Sequence, residues 1–125
     1  MKKVIKTVKA PAAIGPYSQA IQVSDMLFVS GQLPINPATG NIEATDIKGQ
    51  TQQAFDNIKA ILEAANTNLD NVVKSTVLLA DMCLFAEMND VYAKQFSGNF
   101  PARSAFAVKA LPKGALVEIE VIALR

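Results

Sequence analysis

The sequence contains no histidine and no tryptophan, and its one cysteine is Cys83. A lone thiol excludes an intramolecular disulfide. Without histidine there is no Ser-His-Asp triad and no Cys-His pair, and a single cysteine cannot anchor a zinc cluster. A metal would have to rest on carboxylates alone, and no loop spaces them as a cation site requires, so no metal is expected. Charge is scarce as well. Lys, Arg, Asp and Glu make up 18% of the 125 residues and sum to a net +1. That balance disfavours a nucleic-acid partner held by phosphate attraction. The apolar runs fall far short of a bilayer's thickness, and the basic opening MKKVIKTVKA has no apolar stretch behind it. Neither a secretory leader nor a membrane partner is expected, and the cytoplasm is the expected location. There is no GxGxxG or P-loop spacing, no internal repeat and no low-complexity segment.

Apolar side chains are abundant, at 50% of the total. One domain typically holds about 100–150 residues, so the chain is expected to form a single domain over residues 1–125. The charged fraction lies below the usual value of about 25%, which predicts an exterior that is partly apolar and covered by another subunit.

Lys2, Lys3, Lys6 and Lys9 alternate with Val4, Ile5 and Val8, the pattern of an edge strand whose charges deter unwanted pairing. The same lysines could serve as a basic arm on RNA. Ala10 to Pro16 breaks the strand with Pro11, Gly15 and Pro16. Ala20 to Val23 and Met26 to Ser30 read as a hairpin turning at Ser24-Asp25. Gly31 to Gly40 is a turn-rich loop. From Gln50 to Ala65, Ala54, Ile58, Ile61 and Ala65 recur at helical spacing, with Thr45 or Asp46 as the cap. Val72 to Leu79 is rich in β-branched residues. Asp81 begins a second helix through Phe96, with Phe85, Met88, Tyr92 and Phe96 on its apolar face. Ser104 to Val108 and Ala115 to Leu124 complete the strands, joined through the turn LPKG.

The order β-ββ-α-β-α-ββ predicts an α+β fold, a mixed β-sheet with both helices packed on one face. The last strand describes the other face. Val117, Ile119, Val121 and Ala123 point one way, and Glu118, Glu120, Ile122 and Leu124 the other. A face half acidic and half apolar fits an oligomer that packs these faces together and leaves clefts near the acids.

Few residues can carry chemistry. Arg103 follows Pro101 at the expected start of a strand, and its planar guanidinium suits either a carboxylate or phosphate clamp or a surface ion pair. Glu118 and Glu120 share a face, where they can do acid-base work or pair with a cation. Tyr17, Ser18, Ser30 and Gly31 lie at loop edges that can line a pocket. Asn89 interrupts the apolar face of the second helix and either caps a loop or reaches a ligand. Cys83 is expected to be a quiet thiol, buried or half-buried, since no base stands ready for it.

The segments PARSAFAVKALPKGALVEIEVIA (101–123), AAIGPYSQA (12–20) and FVSGQLPINPATG (28–40) resemble the signature motifs of the RidA family, also called the YjgF/YER057c/UK114 family. The similarity runs from about residue 4 to residue 125. The resemblance implies a chorismate-mutase-like (RidA-like) fold assembled as a homotrimer with a barrel-like core and clefts between subunits. It implies a cofactor-free enamine/imine deaminase that hydrolyses 2-iminobutanoate and 2-iminopropanoate, products of serine and threonine dehydratases, to 2-oxo acids and ammonia. Small 2-imino or 2-oxo carboxylic acids would be the ligands. Arg103 matches the arginine that grips the substrate carboxylate, and Glu118 the glutamate that holds the attacking water. Tyr17, Ser30, Gly31 and Asn89 match pocket positions, with Tyr17 reaching across the interface. Ala105 stands where many members carry Cys, so a thiol at the cleft is missing. Two alternatives use the same surfaces: a non-enzymatic regulatory protein that binds small carboxylates, and an RNA-binding or endoribonuclease-type translation inhibitor.

Overall fold

The computed structural model describes all 125 residues. Its strands are β1 (Lys2–Ile5), β2 (Ala20–Val23), β3 (Met26–Gln32), β4 (Val72–Leu79), β5 (Ala102–Ala107) and β6 (Val117–Leu124). Its helices are α1 (Ile47–Ala64) and α2 (Phe85–Ala93). The strands form one mixed sheet in the order β1-β2-β3-β6-β4-β5. Only the β4–β5 pair is parallel. The chain therefore carries its last strand back into the middle of the sheet, between β3 and β4.

Both helices cover one face, as expected. Val117, Ile119, Val121 and Ala123 of β6 lie buried beneath them, with Phe55, Ile58, Ile61 and Leu62 of α1 and Met88 and Tyr92 of α2 in the same cluster. Rings of Phe55, Tyr92 and Phe96 meet edge-on or tilted with centroids 5.1–5.9 Å apart. The opposite face carries Phe28, Phe106 and Leu124, each more than two-fifths exposed in the single chain. Such an expanse is unusual for a surface left to water.

Several boundaries differ from the sequence reading. The first strand stops at Ile5, and Val8 stands in a turn, almost wholly exposed. Helix α1 begins at Ile47 because the Asp46 carboxylate accepts from Gly49 N, closing the first turn. The expected long second helix is a 3-10 turn, Met82–Leu84, followed by the shorter α2. Asp81 does cap this segment, through Cys83 N. Phe96 falls beyond the helix yet stays buried, held by its aromatic neighbours. Strand β5 begins at Ala102, because parallel pairing with β4 starts at Lys74↔Ala102. Arg103 therefore lies within the strand rather than at its entrance.

Asn57 shows how α1 holds the loop after β3. Its side chain is buried and its Nδ2 donates to the carbonyls of Leu33 at 3.0 Å and Ile35 at 2.8 Å. Its Oδ1 accepts from Gln53 Nε2 at 3.0 Å. Asn57→Ala is expected to destabilise the fold by about 2–3 kcal/mol, because two inward-facing carbonyls lose their donors. Urea unfolding of parent and variant at equal concentration measures it.

Candidate functional site

Strand β5 pairs with β4 along one edge and has no strand on its other edge. Within it Arg103 lies in register with Ser75. Its side chain turns toward α2, where Phe85, Asn89 and Tyr92 are spaced by four and three residues and so share one helix face. Arg103 Nη1 donates to Asn89 Oδ1 at 2.6 Å. The guanidinium carbon lies 4.7 Å from the Tyr92 ring centre and 5.3 Å from that of Phe85, within the range of a cation–π contact. No carboxylate pairs with Arg103 in the chain: the ion pairs are Lys48–Asp90 and Lys59–Asp56. Its remaining N–H donors are available to an anion. Arg103 lines a cleft of about 510 Å³ together with Asn89, Tyr92, Ala93, Phe100 and Pro101. Asn89 thus caps no loop and instead accepts from Arg103. Ala105, two residues on, packs its methyl group against the core and presents no side-chain donor.

A second group assembles around the β3–β6 pair. The register between these strands slips between Val29 and Gln32, which places Ser30 and Gly31 in the irregularity. The Glu118 side chain lies over Gly31, and a Cβ at that residue would overlap Glu118 Oε2. The φ of Gly31 is ordinary, so what glycine provides here is space: a Cβ would displace the carboxylate end of the Glu118 side chain from its present position. Ser30 Oγ donates to Ser18 O at 2.6 Å, and Ser30 N donates to Gln19 O at 2.9 Å. Strand β3 is thereby tied to the loop that bears Tyr17. Tyr17, Ser18, Phe28, Ser30 and Glu120 line a common cleft of about 440 Å³.

Gln19, which the sequence reading passed over, fixes that loop. Its Nε2 donates to Thr7 O at 3.0 Å and Pro11 O at 2.8 Å, and its Oε1 accepts from Thr7 N at 2.8 Å. A long amide directly after a proline- and glycine-punctuated loop was the available signal, since such a segment must satisfy its backbone somewhere.

Burial raises the Glu118 pKa above the ordinary carboxylate value, and the neighbouring Glu120 charge raises it further. A reaction that needs ionised Glu118 loses rate as pH falls, and does so at a higher pH than an ordinary glutamate would dictate. Glu120→Gln removes the repelling charge, so the acid limb of the kcat–pH profile is expected to move to lower pH. An unmoved limb would show that Glu118 does not govern it. Cys83 lies exposed beside Asp81, whose hydrogen bond and charge push the thiol pKa up. The raised pKa accords with a quiet thiol, whereas the expected burial is not found: the 3-10 turn Met82–Leu84 leaves Cys83 on the surface.

The candidate residues therefore fall into two sets. Arg103 and Asn89 stand on the helix side of the outermost strand. Ser30, Gly31 and Glu118 lie on β3 and β6, and Tyr17 lines a cleft with Ser30 and Glu120 on the same side. Glu118 pairs with Leu78 and Arg103 with Ser75, and the two residues project from opposite faces. Two strand spacings and three residues of rise put their Cα atoms about 14 Å apart. One small molecule cannot bridge them within a single chain.

Residues 7–125 match the family described as endoribonuclease L-PSP. A RutC family protein of Pyrococcus horikoshii is 56% identical over all of this chain and 99% of its own length. The 2-iminobutanoate/2-iminopropanoate deaminase of Bos taurus is 51% identical, with 100% of this chain and 91% of that protein covered. The crystal structure of a Rid family protein from Yersinia pestis superposes with a TM-score of 0.97 at 52% identity, covering all of both chains.

Proposed function

The chain belongs to the endoribonuclease L-PSP (RidA) family, and from that premise we propose that it hydrolyses small 2-imino acids, 2-iminobutanoate and 2-iminopropanoate among them, to 2-oxo acids and ammonia. The observation that carries this reading is the Arg103 guanidinium, cradled by Asn89, Tyr92 and Phe85 and left without a carboxylate of its own. Relatives named as deaminases over the full chain length support it.

The chemistry asks little of the protein. Protonated imine carbon beside a carboxylate is already electrophilic, and tautomerisation of the enamine supplies it. Arg103 binds the substrate carboxylate through two parallel N–H donors. Glu118 accepts a proton from a water molecule as its oxygen bonds to C2, giving a carbinolamine. That proton then passes to nitrogen, the carbinolamine hydroxyl gives its own proton back to Glu118 as the C–N bond breaks, ammonia leaves and the 2-oxo acid remains. Orientation and placement of one water supply most of the acceleration.

Because the two sets of residues stand apart in one chain, the reading places Arg103 and Asn89 of one copy opposite Tyr17, Ser30, Gly31 and Glu118 of another. The apolar sheet face bearing Phe28, Phe106 and Leu124 is the surface the copies share, and a closed ring of three is the proposed assembly. Sedimentation equilibrium should return about three times the chain mass of 13.4 kDa.

The direct test generates 2-iminobutanoate in the presence of the protein and follows 2-oxobutanoate and ammonia. Release faster than the spontaneous rate is expected. A rate equal to buffer, with ligand still bound, favours the regulatory alternative. Cleavage of RNA by the same preparation would favour the ribonuclease alternative, which the absence of histidine and the +1 charge do not support.

A further inference from the structure

Tyr92 is a buried phenol that the proposed chemistry does not use. It is 4% exposed, and its hydroxyl meets Ser75 Oγ at 2.6 Å, with Ser75 only 1% exposed. Replacing such a hydroxyl pair by apolar groups of similar shape is nearly neutral for stability, so folding alone does not demand it. Its location is informative. Ser75 is the in-register neighbour of Arg103 on the adjoining strand. The Tyr92 ring presents its face to the Arg103 guanidinium, with Phe55 at 5.5 Å and Phe96 at 5.1 Å on other sides. Ring-on-ring packing is weakly directional and would let Tyr92 slide along α2's contact with the sheet. The hydrogen bond to Ser75 fixes its depth relative to β4, and thus relative to the residue beside Ser75.

We propose that Tyr92 and Ser75 form a positioning latch that sets the guanidinium of Arg103, so that its free N–H edge faces the carboxylate-binding cleft. The proposal rests on the reading of Arg103 as the carboxylate clamp. The latch acts through Arg103 and touches no reacting atom.

Arg103 would hold the carboxylate in ground state and transition state alike, so a misplaced guanidinium weakens both equally. For Ser75→Ala and Tyr92→Phe, KM for 2-iminobutanoate and Kd for 2-oxobutanoate should each rise about 3- to 10-fold while kcat stays within about twofold. A merely structural loss would instead lower kcat with the amount of folded protein and leave KM unchanged. The double variant leaves no buried hydroxyl unpaired and should keep the fold. Its effect should match the single variants rather than their sum, because one interaction is removed in all three.

A readout that needs no substrate separates this proposal from the deaminase reading. The chain has two arginines, Arg103 and Arg125. The ¹⁵Nε–Hε spectrum should therefore hold two side-chain signals, with that of Arg103 displaced by the Tyr92 ring 4.7 Å from its guanidinium carbon. In Ser75→Ala, which keeps the ring, the Arg103 signal should move toward the position of a free arginine side chain. If it stays put in a folded Ser75→Ala protein, the latch is wrong whatever the parent catalyses. If it moves but the parent neither binds 2-oxobutanoate nor hydrolyses the imine, the latch stands and the deaminase reading fails.

Discussion

Arg103→Ala is expected to lower activity at limiting substrate by about 30-fold to several thousand-fold, the range that a lost charged pair of ~2–5 kcal/mol in a partly dry cleft implies. The side chain is exposed on the outermost strand and supports no buried charge, so the fold should persist. The loss should fall on substrate affinity, and 2-oxobutanoate binding should weaken in parallel. Arg103→Lys should recover only part of it. A lysine ammonium restores charge but cannot donate to Asn89 and grip a carboxylate with two parallel N–H groups at once. Nor can it stack a planar cation on Tyr92. Titration calorimetry with 2-oxobutanoate and steady-state kinetics on 2-iminobutanoate together decide the matter. Undiminished 2-oxobutanoate affinity in Arg103→Ala would remove the carboxylate clamp from the mechanism.

Glu118→Gln is expected to act on the other parameter. Glutamine keeps the length that lets the side chain lie over Gly31, and it retains a hydrogen-bonding oxygen. It loses the capacity to take a proton from water. General-base contributions of this type are worth about 100-fold or more, so kcat should fall by that order with 2-oxobutanoate affinity retained. Parental turnover in this variant would assign the proton to backbone groups or to the substrate nitrogen. Mixing the two variants tests the shared site. When unfolded Arg103→Ala and Glu118→Gln chains are refolded together, a ring of three that joins Arg103 of one copy to Glu118 of the next regains about one quarter of parental activity. No recovery would mean that both residues serve from the same copy.

Much of this protein is legible in its sequence because the relevant physics is local. Period-two alternation in Val117 to Leu124 fixed which side chains of β6 enter the core, and the structure buries Val117, Ile119, Val121 and Ala123 as that pattern requires. The 3.6-residue recurrence through Ala54, Ile58 and Ile61 located α1, although it left the cap open between Thr45 and Asp46, and the helix begins three residues before Gln50. The absence of histidine and the scarcity of charge narrowed the chemistry before any fold was known. Resemblance at the Arg103 and Glu118 motifs identified the family.

Tertiary structure decided what depends on distant partners. Nothing local in β6 says that it inserts between β3 and β4, since alternation gives a face and not a neighbour. Strand β5 begins at Ala102 because a parallel partner is present there, and this draws Arg103 into the sheet beside Ser75. Phe85, Asn89 and Tyr92 could be read as one helix face, but only the packing of α2 against β4 and β5 makes that face a cradle for a guanidinium. The separation of Arg103 from Glu118 follows from the same cause. Each residue's face is set by its own strand, whereas the distance between them is set by pairings that join residues dozens of positions apart in the chain.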